Sequence, residues 1–546
     1  MTAPAPLSPE AEKRLLEAAR YYEARDAQGT LVRVRALLKD TGPIAPVLEL
    51  LGLALLLDQK PLEAADALRQ ALDLHPASPT IRFALGVALA DLGRWMEARD
   101  CFDELVAVCP DHLEARFNQA RALEALGATE AARNAYAACL ERAPGHVEAA
   151  AHYAALLEES NQPEVARSWV TRVRAVDSGH VLARMVSAQL DLREGHPDQA
   201  LRELDALARE PLSLVNQAVI AGRRVRALDA LGRYPEAFHA AETGHALLAR
   251  LDAGQNAQGP YGIDAVEHLI QHVPDREPET RPRDTSPESH HLIFLVGFPR
   301  SGTTLLDRML AAHPDVVVLE ETNPFSAPLT ALTDLVGQGV KDPHTHPRVR
   351  DALASAAQAT GSLKLGREGR IVDKLPLNSI YAGWLHLLLP EARFVVALRD
   401  PRDVCLSCFL QVFVPNPAMR QFWSLPDTAR YYDRVMTLFT WYREHILPDS
   451  RVRLVRYEAL LENPVPVLRD LTDFLGIRFV PGMAEPHRTL TGTRIGTPSY
   501  DQVARPLYPD SVGRWRHYRA ELAPVLGHLV PWVHHWGYAS TGGVSQ

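Results

Sequence analysis

The first 250 residues repeat with a period of 34 residues, and this repetition restricts the fold more than any other feature of the sequence. Small residues recur in two series, at Gly52, Gly86, Ala120, Ala154 and Ala188 and at Ala64, Ala98, Ala132, Ala166 and Ala200. Proline closes three units, at Pro76, Pro110 and Pro144, and Ser178 breaks that series. Each unit is predicted to form two amphipathic helices. Because neither helix can bury its apolar face alone, we expect the units to stack into an all-α solenoid.

This period and its small residues resemble the tetratricopeptide repeat, a helix–turn–helix unit. A weaker unit covers about Ser8 to Gly42, and another, LDALGRYPEAFHAAETGHAL, follows after a slip of three residues between Ala200 and Ala237. The solenoid is therefore predicted to span residues 1–250. Its architecture favours a peptide or protein as a bound partner.

The composition argues against several other classes of protein. With 47% hydrophobic and 23% charged residues the chain has a globular composition, and its net charge of -9 disfavours a general nucleic-acid binder. The five scattered cysteines form no disulfide framework, and Cys405 and Cys408 are interpreted as packing residues rather than a metal or redox site. The N-terminus lacks an apolar signal segment, and the longest apolar run, Leu50 to Leu57, is too short to span a membrane. We expect a cytoplasmic protein.

Residues 251–291 are rich in proline, glycine and charge around a short helical stretch, GIDAVEHLIQHV. They are predicted to form a linker or a docking segment.

Beyond this segment, predicted strands alternate with predicted helices. The strands are LIFLVG (292–297), IVDK (371–374), RFVVALR (393–399) and RVRLVRY (451–457), and a helical pattern follows each of them. Continuous apolar strands alternating with helices indicate a parallel sheet covered on both faces. We therefore predict an α/β, P-loop-like domain over residues 292–540. In such sheets ligands bind beyond the carboxyl ends of the strands.

The first strand ends in the turn Gly297 to Thr304, GFPRSGTT, which opens a helix. Backbone N–H groups and the helix dipole bind anions at such a position. The spacing is that of a P-loop, but Thr303 stands where a Walker sequence has lysine, and the positive charge lies inside the turn at Arg300. This turn is better suited to a single phosphosulfate than to the β- and γ-phosphates of ATP.

A second turn, Arg399 to Ser407, also joins a strand end to a helix. Arg399 and Ser407 are candidates for holding another phosphate, one through its forked guanidinium and the other through its hydroxyl. On its own, this RDPRD turn would more often be a salt-bridged helix start. Its pairing with the first turn makes the pattern more specific.

These two turns resemble the donor-binding loops of the sulfotransferase family, and the tyrosylprotein sulfotransferase branch most of all. The resemblance runs from Leu292 to Tyr518 through PRSGTTLLDRMLAAHPDVVVLEET, VDKLPLNS, FVVALRDPRDVCLS, RYEALLENP, DFLGI and PSYDQVARPLYPDSVGRW. It implies PAPS (3′-phosphoadenosine 5′-phosphosulfate) as co-substrate. By the resemblance the phosphosulfate is bound by Arg300, Ser301, Gly302, Thr303 and Thr304, the 3′-phosphate by Arg399 and Ser407, and the rest of the nucleotide by Tyr457, Arg514 and the stretch 499–508.

The same resemblance assigns the catalytic roles. Glu321 is the general base, and Lys374 and Ser499 stabilise the transition state. Two alternatives remain open: Glu321 as a helix-capping or solvated acid, and Lys374 as a structural ion pair with Asp373 or Glu320. The family's additional donor arginine is Gln411 here, and Val318 replaces a disulfide cysteine.

The chemistry agrees with these residue types. A carboxylate that removes the acceptor proton typically contributes about 10²- to 10⁴-fold, and a donor to the leaving oxygen about 10²- to 10³-fold. Sulfate carries less charge than a transferring phosphate, so no metal is required in principle.

The sequence therefore predicts an enzyme that transfers a sulfuryl group from PAPS to an acceptor hydroxyl. A protein tyrosine recruited by the repeats is the favoured acceptor, with carbohydrate, lipid and small phenols as alternatives. One rival function, a P-loop kinase, would require lysine at position 303. The other is a non-catalytic repeat scaffold with a vestigial nucleotide-binding domain. The presence of the five candidate residues argues against it: Arg300, Glu321, Lys374, Arg399 and Ser407.

Overall fold

The computed structural model describes residues 7–253, 259–273, 291–340, 342–361, 369–486 and 511–539. The chain forms two compact units, Met1–Val186 and Ser187–Gln546. The domain boundaries predicted at residues 250 and 291 stay predictions. No helix in the described ranges is both long and apolar enough to cross a membrane.

The first unit is a stack of antiparallel helices, as the repeat predicts. As far as Val176, each helix packs on the next along the chain. Gly52 and Gly86 lie where helices of one unit approach each other: an added Cβ would stand 2.4 Å from Leu68 and 2.6 Å from Phe102. The helices are α1 Pro9–Glu23, α2 Ala27–Thr41, α3 Ala45–Leu57, α4 Pro61–Leu74, α5 Pro79–Asp91, α6 Trp95–Val108, α7 Leu113–Ala125, α8 Thr129–Arg142, α9 Val147–Glu159 and α10 Pro163–Val176. The unit boundary falls within the next helix, α11 Val181–Arg193.

The first helices of the second unit continue the repeat pattern to its end near residue 250. Here α12 Pro197–Leu207, α13 Leu214–Ala230 and α14 Tyr234–Leu251 pack in succession, and α15 Ile263–Gln271 follows. Ser213 caps α13 by accepting a hydrogen bond from Asn216 N.

A five-stranded parallel sheet lies at the centre of the second unit, in the order β2-β3-β1-β4-β5. The strands are β1 Leu292–Gly297, β2 Val316–Glu320, β3 Arg370–Lys374, β4 Arg393–Leu398 and β5 Val452–Arg456. Four of the five were predicted. The strand missed is β2, although its sequence, VVVLE, has the β-branched residues typical of a strand.

Helices follow the strands as a doubly covered sheet requires. They are α16 Thr303–Ala311, α17 Ser326–Gly337, α18 Pro347–Gly361, α19 Ala382–Leu388, α20 Pro401–Leu410, α21 Leu425–His445, α22 Tyr457–Glu462, α23 Pro464–Leu475, α24 Arg519–Leu522 and α25 Leu526–His535. The sequence predicts one long helix after β3, whereas the chain forms a 3₁₀ turn, Pro376–Tyr381, before α19.

The described part of residues 251–291, which are predicted to form a linker or a docking segment, is hydrogen-bonded to neighbouring helices. Glu267 of α15 accepts two hydrogen bonds from Arg434 of α21, at 2.8 and 2.7 Å. The hydroxyl of Tyr261 donates to Asn378 Oδ1 at 2.8 Å, and its carbonyl accepts from Tyr431. These bonds fix α15 against the helices beside the sheet.

Candidate active site

The first turn has a backbone that only glycine accommodates at two points. β1 ends at Gly297 (φ 158°), and the turn reaches α16 through Gly302 (φ 100°). A Cβ on Gly302 would lie 2.5 Å from the ring of Tyr457, and one on Gly297 would lie 2.7 Å from Ala397 O. Both side chains would strain the turn, so its glycines let α16 begin directly beside neighbouring chain segments.

The second turn meets the first because β1 and β4 are neighbours in the sheet. Arg300 Nε donates to Ser407 Oγ at 3.0 Å, and Arg399 Nη1 donates to Arg300 O at 3.1 Å. The guanidinium carbon of Arg399 lies 4.9 Å from the centre of the Tyr457 ring. The carboxyl end of the sheet therefore brings together four of the residues predicted to bind the donor: Arg300, Arg399, Ser407 and Tyr457.

Positive charge is concentrated at this meeting point. Burial lowers the pKa of Arg300 to about 10, and the charges of Arg399 and Arg514 add to the shift. Within the described residues, Ser301 Oγ and Arg399 Nε are buried and make no hydrogen bond. Buried donors without acceptors are costly, and a bound anion would satisfy both. The site therefore has the chemistry of an anion pocket.

A third segment, Ser511 to Tyr518, closes against the two turns. Ser511 O accepts from Arg399 Nη2, and Ser511 Oγ lies 2.7 Å from the hydroxyl of Tyr457. Asp403 of α20 accepts from the backbone nitrogens of Gly513 at 2.7 Å and Trp515 at 2.8 Å. Asp403 was assigned no role from the sequence. Its segment partners lie more than a hundred residues away, so no local pattern could have indicated them.

The candidate catalytic residues lie at the ends of β2 and β3, which are paired so that Glu320 is opposite Lys374. Lys374 Nζ is fully buried and lies 2.8 Å from Glu321 Oε1. The side chain of Glu321 is 47% exposed, and its backbone is left-handed (φ 53°). A solvent-accessible carboxylate is thus paired with a buried ammonium group.

The structure bears on the alternative interpretations of Lys374 as a structural ion pair and of Glu321 as a helix-capping or solvated acid. Lys374 Nζ does approach Glu320, at 3.7 Å. Asp373, the neighbouring residue on the same strand, is on the opposite face of the sheet, since successive strand residues alternate. Glu321 follows directly on a strand rather than opening a helix.

Asp307 is a further acid at this position that was not predicted from the sequence. Its carboxylate lies 3.7 Å from Lys374 Nζ and 3.0 Å from Arg308 Nε, and Arg308 also pairs with Glu320. Burial raises the pKa of Asp307 to about 7, with the nearby acids adding to the shift. The sequence did contain a signal for Asp307: Asp307 and Arg308 are the two charged residues of α16, TTLLDRMLA.

Other predicted residues have different outcomes. Thr303 and Thr304 open α16 and are buried. Arg514 is paired with Asp229 of α13. Ser499 and the rest of the stretch 499–508 lie outside the described residues.

Comparison with known sequences decides the class of this domain. A sequence model of the sulfotransferase family matches residues 293–481, which contain both turns, Glu321 and Lys374. Residues 293–481 form a sulfotransferase-family domain. A model of the tetratricopeptide repeat matches residues 49–107 and 83–147, which confirms the predicted repeat over these residues.

Individual proteins match parts of this chain at low identity. An uncharacterized protein of Aquifex aeolicus is 31% identical over 245 residues, which cover 43% of this chain and 31% of that protein. Protein-tyrosine sulfotransferase 2 of Gallus gallus is 26% identical over 261 residues, 45% of this chain and 69% of the relative. The chain therefore spans about a third of the first relative's length. A tetratricopeptide repeat protein of Parabacteroides merdae matches with 16% identity and a TM-score of 0.37, over 44% of this chain and 94% of that one.

Proposed function

We propose that this sulfotransferase-family domain transfers a sulfuryl group from PAPS to an acceptor hydroxyl. The observation that carries the proposal is the convergence of Arg300, Arg399 and Ser407 at the ends of two adjacent parallel strands. Arginine forks bind phosphate and sulfate through paired, charge-assisted hydrogen bonds. Residues 293–481 match the sulfotransferase family, which supports a phosphosulfate as the anion.

PAPS would be held at its 5′-phosphosulfate and at its 3′-phosphate. The turn from Gly297 to Thr304 offers the start of α16 to the phosphosulfate, where backbone N–H groups and the helix dipole favour an anion. Arg399 and Ser407 offer a cation and a hydroxyl to the 3′-phosphate. Thr303 replaces the lysine that a Walker loop would direct at a triphosphate, which favours PAPS over ATP.

The transfer step involves Glu321 and Lys374 together. Glu321 takes the proton from the acceptor hydroxyl while the acceptor oxygen bonds to sulfur, and the bond from sulfur to the bridging oxygen breaks. PAP leaves with that electron pair. Once Glu321 is protonated it no longer neutralises Lys374, which lies 2.8 Å away, so the ammonium charge becomes available to the leaving oxygen. The products are a sulfated acceptor, PAP and a proton on Glu321.

A protein tyrosine is the acceptor that we favour. Two observations support it: relatives such as the Gallus gallus protein carry the name protein-tyrosine sulfotransferase, and the chain has a repeat solenoid suited to holding a peptide. A phenol, with an ordinary pKa of about 10, also gains from a carboxylate base.

Donor binding is tested by titrating the whole protein with PAP and with ATP in a calorimeter. We expect saturable binding of PAP, weaker binding of ATP, and at least a tenfold loss of PAP affinity in Arg300→Ala and Arg399→Ala. Arg348→Ala removes an exposed arginine paired with Asp334 and should bind PAP like the parent. The proposal fails if PAP does not bind, or if all three variants bind it equally well.

The acceptor is identified by incubating the protein with ³⁵S-labelled PAPS and a host lysate, followed by mass spectrometry of the labelled species. Sulfotyrosine in a protein is the expected product. A labelled glycan or lipid instead would overturn the tyrosine assignment while leaving sulfuryl transfer intact.

A further inference from the structure

The last helical hairpin of the repeat pattern, formed by α13 and α14 and called here the terminal hairpin, contacts the candidate donor site. Asp229 of α13 accepts hydrogen bonds from Arg514 Nε at 3.0 Å and from the hydroxyl of Tyr518 at 2.6 Å. The same carboxylate lies 2.7 Å from Arg514 Nη2. Two of the three guanidinium nitrogens of Arg514 are therefore held by one residue of the repeats.

Aromatic contacts extend this attachment. The ring of Tyr234, at the start of α14, stacks on His517 with 4.5 Å between ring centres and meets Tyr518 edge-on at 5.2 Å. On the next turn of α14, Phe238 lies 4.5 Å from Phe409 of α20. Stacked and edge-on ring pairs add about 0.5–1.5 kcal/mol each beyond simple burial. These contacts place the hairpin against the helix that follows Arg399.

Two glycines of the terminal hairpin allow close approach to the chain just after α20. A Cβ on Gly244 would stand 2.8 Å from Val412, and one on Gly222 would stand 3.2 Å from it. His245 Nε2, next to Gly244, bonds to the carbonyl of Phe409 at 2.7 Å. Burial lowers the pKa of His245, and the hydrogen bond to Phe409 acts in the opposite direction. The terminal hairpin therefore packs closely on α20 and the residues after it, and is hydrogen-bonded to them.

The segment that Asp229 holds is also the segment that closes the donor site. Asp403 fixes the backbone of Gly513 and Trp515 on either side of Arg514, and Ser511 accepts from Arg399. The charge of Arg514 also reaches Arg300, where it adds to the lowering of that pKa. Arg514 is therefore part of the segment that contacts the second turn through Arg399 and Asp403.

We propose that Asp229 is a positioning residue for donor binding: it holds Arg514 in the segment that contacts Arg399 and Asp403, where the guanidinium serves the phosphates of PAPS. This inference rests on the proposed function, because it assigns Arg514 to the same donor. It makes the terminal hairpin a structural part of the donor site. Anything that displaces the hairpin would then weaken donor binding, and bound donor would in turn hold the hairpin in place.

The test is a set of substitutions in the whole protein. Asp229→Ala and Asp229→Asn should raise the KM for PAPS and the Kd for PAP about tenfold, equal to about 1.4 kcal/mol. The KM for the acceptor and the kcat at saturating PAPS should stay within about twofold. Asp229→Glu should recover part of the affinity, since it keeps the charge. Asp205→Asn is the matched control, because Asp205 pairs with Arg224 at 2.8 Å within the repeats.

A double-mutant cycle separates positioning from general support. If Asp229 acts through Arg514, then Arg514→Ala should weaken PAP binding, and adding Asp229→Ala to it should weaken binding little further. Fully additive losses would overturn the inference. So would normal PAP affinity in Asp229→Asn with a parental melting temperature, or a kcat loss without a change in the KM for PAPS. Failure of the parent protein to bind PAP would instead refute the proposed function.

Discussion

At the scale of single residues, the pairing of Glu321 with Lys374 joins the proposed proton acceptor to the residue proposed to stabilise the leaving oxygen. The 2.8 Å contact links an accessible carboxylate to a buried ammonium group. Glu321 reaches solvent, where an acceptor would arrive, and Lys374 lies inside at the end of its strand. The pair can therefore respond as one unit when the acceptor proton is transferred.

Removing the carboxylate's basicity alone should abolish most of the activity. Glu321→Gln keeps the shape and a hydrogen-bond acceptor for Lys374 but takes up no proton. We expect kcat to fall about 10²- to 10⁴-fold, with the Kd for PAP unchanged within a few-fold. Transfer is measured with ³⁵S-labelled PAPS, and Asp334→Asn, at an exposed ion pair, serves as control. Unchanged transfer in Glu321→Gln would remove Glu321 from the role of base.

Asp373 gives a pH-dependent prediction about stability. Burial raises the pKa of its carboxyl from 3.8 to about 7, so between these pH values the folded protein binds a proton that the unfolded chain has released. The free energy of unfolding therefore falls as the pH rises through this range, at a slope of about 1.4 kcal/mol for each pH unit. Asp373→Asn has no charge to bury. Its melting temperature should exceed the parent's by more at pH 8 than at pH 5.

The comparison is made by thermal unfolding at the two pH values. Asp334→Asn removes an exposed carboxylate and should show the same small difference from the parent at both. An equal effect of Asp373→Asn at pH 5 and pH 8 would contradict the burial argument.

At the scale of elements, the sequence predicts what is local and misses what depends on distant partners. The turn from Gly297 to Thr304 was predictable because its glycines, its arginine and the flanking apolar strand and helix are contiguous. β2 was not predicted as a strand. Its end at Glu320 puts Glu321 next to Lys374 at the end of β3. Asp229 and Asp403 act on Arg514 and its neighbours, and these contacts exist only once the chain has folded.

The turn also gives a prediction about conformation. Gly302→Ala places a methyl group 2.5 Å from the ring of Tyr457 at a φ of 100°, so the turn has to shift. We expect PAP affinity to fall at least tenfold, since the shift displaces the start of α16. Gly527→Ala is the control: Gly527 lies in α25 with no atom within 4 Å of an added Cβ, and alanine there favours the helix. Calorimetric binding of PAP by Gly302→Ala at parental affinity would contradict this account of the turn.

At the scale of the whole molecule, sequence periodicity and compactness divide the chain at different places. The repeat pattern continues to about residue 250, whereas the second compact unit already begins at Ser187. The reason is chemical. The terminal hairpin carries repeat-type spacing, yet its Phe238, Gly244 and His245 pack on α20 and the chain after it.

This division predicts how the chain tolerates shortening. A chain that begins at Asp177 keeps α11, α12, α13 and α14, with the hydrogen bond from Arg226 to Gln189, and should unfold cooperatively and bind PAP with the parent's affinity. A chain that begins at Gly259 uncovers Phe409 and Val412, loses the pairs Asp229–Arg514 and Asp252–Arg420, and exposes buried apolar surface. It should aggregate or melt at a markedly lower temperature, measured by circular dichroism and light scattering. Equal stability and equal PAP affinity of the two chains would show that the sulfotransferase-family domain ends at its own strands and does not need the hairpin.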